Sequence, residues 1–143
     1  MKKLISASFL SALLLSACGM QEIEVTVPFD KDAAAYIFKQ GSATVSGQAF
    51  LKRRDGMVVT CAGEVTYLIP VTEYAKQRMA GIYGSVNGGY RSAAGPTVND
   101  STSQEYLKAV RETNCDAEGD FKFKNVANGE YYITSSVLWR VND

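Results

Sequence analysis

Three cysteines, Cys18, Cys61 and Cys115, have the widest chemistry open to them in this sequence, and histidine is absent from all 143 residues. The two facts bear on each other. A thiol becomes a nucleophile or a metal ligand only as the thiolate, and imidazole is its usual activator as well as the commonest general base near neutral pH. Without it, Cys61 and Cys115 lack a partner for nucleophilic catalysis, and Ser85, Ser92 and Ser101 lack a base to take their protons. No catalytic residue is assigned. Asp116, Glu118 and Asp120 alternate like the first ligands of a calcium loop, but Phe121 stands where such a loop needs glycine and Ala127 where it needs a bidentate glutamate. They read as a solvated turn ahead of a strand, so no metal and no cofactor is expected. What remains is binding chemistry. Tyr83, Tyr90 and Arg91, beside Gly88-Gly89, are the candidate residues of a binding loop, because such side chains give large contact area at low entropic cost.

Cys18 has a different setting. Lys2 and Lys3 precede the uncharged run 4–15, which is long enough for the apolar region of a signal peptide but short of the roughly 20 residues that span a bilayer. Leu15-Ser16-Ala17-Cys18 resembles the lipobox of bacterial lipoproteins. That resemblance implies a signal peptide over 1–17, cleavage before Cys18, a diacylglyceryl group on its thiol and a further acyl chain, such as palmitate, on the new amine. Each buried methylene adds about 0.8 kcal/mol, so two or three chains anchor stably without a transmembrane helix. Gly19, where an aspartate would favour the inner membrane, implies the outer membrane of a Gram-negative envelope, with the side it faces left open.

Residues 18–143 are enough for one domain with one core. Loss of Lys2 and Lys3 turns a balance of 15 basic and 15 acidic residues slightly negative, with no basic block in the remainder, so nucleic acid is an unsuitable partner. Lipidation of Cys18 leaves Cys61 and Cys115, and a pair in an exported chain is expected to be bonded, the other reading being two separate buried thiols.

The elements that must position these residues follow from periodicity and punctuation. Residues 19–28 read as a tether or a short edge strand, and 18–41 as tether plus a short helix over Lys31 to Gln40, capped by Asp30 and ended by Gly41. From Ser42 the period is two, closing in the polar turn Lys52 to Gly56. Two further β-rich runs, Met57 to Cys61 and Glu64 to Val71, precede a short helix that Thr72 caps, and Pro70 ends the second run or puts it on an edge. Residues 84–103, rich in Gly, Ser, Asn and Thr, read as a long exposed loop. Residues 105–113 resume order as strand or helix. Two strands meeting near Asn128-Gly129 complete the chain, with Tyr131, Ile133, Val137 and Trp139 on one face and Trp139 in the core.

Gly119, Phe121, Phe123, Val126, Gly129, Tyr131 and Ile133 fall as in the G-x-F-x-F-x-x-V-x-x-G-x-Y-x-I segment of carboxypeptidase regulatory-like domains, which this chain resembles from Ser42 to Trp139. The resemblance implies a mainly β fold: an Ig-like or transthyretin-like β-sandwich over 42–143, with one or two short helices. The insert between Val71 and Tyr106 has no place in the minimal sandwich, and a last strand is missing by comparison. Its edge is expected to be filled by Ile23–Val27, or otherwise by a partner's strand. The function expected is a non-enzymatic binding or structural module at the envelope, with a protein or glycan partner. The alternatives are a small envelope hydrolase and an inhibitor or exclusion factor.

Overall fold

Val65-Thr66-Tyr67-Leu68-Ile69-Pro70 carries apolar side chains on both faces of a strand, which demands cover on both sides. The computed structural model, which describes residues 21–99 and 103–140, meets that demand with three layers. Cys18 and the expected signal peptide lie outside the described residues, as does Ser101. The strand β5 (Val65–Pro70) is the centre of an antiparallel sheet ordered β7-β5-β9, where β7 is Arg111–Asn114 and β9 is Tyr131–Ser135. Pro70 is its last residue and pairs only toward β9, so it ends the strand.

One face of this sheet packs on a second antiparallel pair, β2 (Ala43–Gln48) with β8 (Asp120–Val126). Leu68, Phe123, Val126, Ala109, Ala34 and Ile37 form the core between them, with Val45, Phe121 and Tyr131 at its margin. The other face is covered by α2 (Glu73–Tyr83) and α3 (Ser103–Lys108). Ile69, Tyr74, Ala75, Met79 and Tyr106 make that second core, joined by Tyr67 and Tyr132 from the sheet. The insert that a minimal sandwich does not need is thus the layer that buries the sheet's second face. The fold is mainly β, with nine strands and three short helices among the described residues, one helix more than expected.

Local signals place the helices. Asp30 Oδ1 accepts from Asp32 N at 2.9 Å and Ala33 N at 3.0 Å, capping α1 (Lys31–Ala34), which tightens into a 3-10 turn over Ala35–Phe38 and so ends short of Gln40. Gly41 follows because a Cβ there would overlap the Val126 carbonyl. Thr72 Oγ1 accepts from Ala75 N at 3.1 Å and Gly84 closes α2 at its far end. Phe29, Tyr74 and Tyr106 meet edge-on or tilted at 5.1–6.0 Å, and the Arg78 guanidinium lies 4.8 Å from the Tyr106 ring centroid.

Of the two readings of residues 19–28, tether and short edge strand, the strand is found over Glu22–Glu24. The strand β1 (Glu22–Glu24) pairs in parallel with β6 (Thr97–Asn99) and does not fill an edge of the sandwich. Gln77 on α2 fixes the next residues, its Oε1 accepting from Thr26 N at 3.1 Å and Val27 N at 2.9 Å. Val25, Val27 and Phe29 then pack on the second core. The last two long strands are successive, not paired: β8 joins β2 while β9 joins β5.

Two predictions arise from this packing. The Tyr74 hydroxyl is buried without a hydrogen-bond partner among the described residues. Because a buried unpaired hydroxyl costs about 1–3 kcal/mol, Tyr74→Phe is expected to hold or raise the melting temperature, and a drop of several degrees would refute the assignment. The second concerns Tyr36, whose hydroxyl donates to the Glu130 carbonyl and accepts from Val71 N at 2.8 Å. Burial holds its phenol above the ordinary value of 10.0, the Val71 amide opposing and Tyr131 and Glu130 adding slightly. Burial also raises Tyr131, against the nearby Arg111. A group whose pKa is raised on folding contributes fully below its unfolded value and loses that contribution as pH rises through its folded one. Urea midpoints should therefore be flat from pH 8 to 9 and fall above pH 10, and the fall should be shallower in Tyr36→Phe.

Candidate functional site

Hairpin β3 (Phe50–Lys52) and β4 (Val58–Thr60) extends beyond the two main sheets. Its base is fixed at Ala49, whose N–H donates to the Gly119 carbonyl at 3.0 Å and whose carbonyl accepts from Cys61 N at 3.0 Å. Gly119 is required there: its φ is +85°, and a Cβ would press on the Thr60 side chain. Cys61, directly after β4, is disulfide-bonded to Cys115, directly after β7, with Cα atoms 5.8 Å apart. Both are buried. The expected pairing is present, and it ties the hairpin to the central sheet.

The tip of the hairpin is the polar turn read from the sequence. Arg53 N donates to Met57 O at 2.8 Å and Gly56 N to Arg53 O at 3.0 Å. Asp55 is used twice: Oδ1 accepts from Met57 N at 3.0 Å, while Oδ2 pairs with Arg53 Nη2 at 3.0 Å. Five consecutive residues, Leu51 to Asp55, form one wall of an open depression of about 590 Å³, and Tyr90 and Trp139 complete the lining.

The two aromatic rings reach it from separate segments. Tyr90 is 68% exposed and belongs to the long loop after α2. That loop is built, not slack: the Tyr132 hydroxyl donates to Val86 O at 2.9 Å, Ser85 Oγ accepts from Asn87 N at 3.0 Å, and Arg91 Nη1 donates to Pro96 O at 2.9 Å. Trp139 is 39% exposed and lies beyond β9. Its expected place in the core is corrected, because Ser135 pairs with Thr66 near the start of β5 and residues 136–140 form no strand to continue the alternation.

The sequence-derived trio Tyr83, Tyr90 and Arg91 therefore separates. Tyr83 packs on the second core, Arg91 staples its own loop, and Tyr90 alone lines the depression. The cations of the hairpin turn were not singled out from the sequence, and Trp139 was read as core in preference to a ligand platform, although Val137-Leu138-Trp139 is a run of consecutive apolar residues, which breaks a strict strand alternation.

Chemically the depression offers aromatic and cationic contact. Glycoside hydrolysis uses two carboxylates flanking the bond, and this lining supplies Asp55 alone, with both oxygens engaged. Asp116 is likewise occupied, its Oδ1 accepting from Glu118 N and Asp120 N as it caps the turn before β8. No group of three or more potential metal ligands occurs among the described residues. Nor is any described helix long and apolar enough to cross a membrane.

No protein-family model matches the chain, and no curated protein matches it. A solved structure does. The crystal structure of PA1324 from Pseudomonas aeruginosa, named a putative carbohydrate binding protein, is similar with a TM-score of 0.60 and 24% identity, covering 80% of this chain and 77% of that one. The likeness shows a shared fold.

Proposed function

We propose that this chain is a non-catalytic carbohydrate-binding module of the cell envelope, held at the outer membrane by lipid on Cys18. Its β-sandwich is of the transthyretin-like type seen in carboxypeptidase regulatory-like domains. The observation that carries the proposal is the presence of two solvent-exposed aromatic rings, Tyr90 and Trp139, in one open depression beside the polar turn Lys52–Asp55. A pyranose ring presents a face of C–H bonds that fits the negative face of an aromatic ring, and its hydroxyls need donors and acceptors at the rim. Lys52 and Arg54 provide donors there, and the volume lies within the range of small-ligand sites, about 300–1,000 Å³. The naming of PA1324 as carbohydrate binding supports the same reading.

Two experiments test the parts separately. Calorimetric titration with a panel of oligosaccharides is expected to give saturable binding that Tyr90→Ala and Trp139→Ala weaken; full affinity in both variants would refute the site. For the anchor, cells fed a palmitate analogue should label the wild-type protein and not Cys18→Ser, and equal labelling would refute it.

A further inference from the structure

We infer that the ligand of this depression is an anionic saccharide, a chain bearing uronic-acid carboxylates that Lys52 and Arg54 receive. The inference rests on the carbohydrate reading and specifies its ligand class. Four charged residues line the depression, Lys52, Arg53, Arg54 and Asp55, and their charges are not equally available. Asp55 has both oxygens engaged, one by the Met57 amide and one by the Arg53 guanidinium. One acceptor site on each oxygen is taken in this way, and its negative charge is matched by Arg53. Lys52 and Arg54 are exposed and make no ion pair among the described residues.

The lining thus holds two uncompensated positive charges, on a chain whose basic and acidic residues balance at 15 each. A neutral sugar would leave those charges unused. A uronate carries its carboxylate at the edge of the pyranose ring, so a ring stacked on Trp139 or Tyr90 presents that charge sideways, toward the wall of the depression. The planar guanidinium of Arg54 suits a carboxylate bidentately, and the Lys52 ammonium adds a flexible point charge. Because the site is open to solvent, the attraction is screened by salt over about 8 Å at physiological ionic strength.

The test compares hexasaccharides of oligogalacturonate, hyaluronan and chondroitin with their carboxyl-reduced, uncharged forms, titrated into the full chain. At least one acidic hexasaccharide is expected to bind about tenfold more tightly than its reduced form, and to lose several-fold affinity between 50 and 300 mM salt. Lys52→Ala/Arg54→Ala should erase that preference with an unchanged melting temperature, since neither side chain supports the turn. Equal binding of acidic and reduced forms, lost in Trp139→Ala but retained in the double variant, overturns the charge inference and leaves the carbohydrate site standing. No binding of any form overturns both.

Discussion

Replacing Cys61 and Cys115 together with alanine is expected to lower stability by about 4 kcal/mol, the chain-entropy value for a closed loop of this length. The bond joins residues separated by 54 positions, so its loss frees much of the unfolded chain. For a domain of this size that corresponds to a fall in melting temperature of about 15 °C. Two further features make the loss costly. Both sulfurs are buried, and the Thr66 hydroxyl, fully buried in β5, lies 3.2 Å from Cys115 Sγ and donates to Ser135 Oγ at 2.9 Å. Thermal melts with and without reductant measure the effect. A reduced protein that melts with the oxidised one would contradict it.

The second large effect is on binding. Trp139→Ala should weaken oligosaccharide affinity by about 30-fold, roughly 2 kcal/mol, the scale of an aromatic anchor at the centre of a contact. The residue is 39% exposed and makes no hydrogen bond among the described residues, so little stability should be lost with it. Tyr90→Ala should cost less, because that residue is 68% exposed. Calorimetry of the two single variants and the double variant separates their contributions, and a Tyr90→Ala of full affinity, with a double variant no weaker than Trp139→Ala, would show that Tyr90 does not touch the ligand.

Much of this fold was legible wherever a local chemical rule governs the backbone. Asp30 and Thr72 cap helices because their side chains accept the free N–H groups of a first turn, which depends on nothing distant. Asp55-Gly56 closes a hairpin for the same kind of reason. The Cys61–Cys115 bond followed from counting cysteines in a chain expected to be exported. Strand partners were not legible. The alternation in β8 and β9 suits a hairpin and a crossover equally, and only the full set of faces to be buried sends β8 to β2 and β9 to β5. The three residues of β6 were hidden in a polar loop, since their partner β1 lies more than 70 positions away in sequence. Trp139 was assigned to the core because period-two reasoning carries no signal for where pairing stops; β5 sets that limit at Ser135. The candidate site draws on the hairpin tip, the loop and the segment after β9, three pieces whose meeting depends on the whole fold.

The central claim is that Trp139 meets a sugar, and this residue is the chain's one tryptophan. Its fluorescence therefore reports on the depression directly. Titration of the full chain with the oligosaccharide that binds in calorimetry is predicted to shift the emission to shorter wavelength and to protect it from acrylamide quenching, saturating at the same concentration. Binding that leaves both emission and quenching unchanged would place the sugar elsewhere and contradict the account.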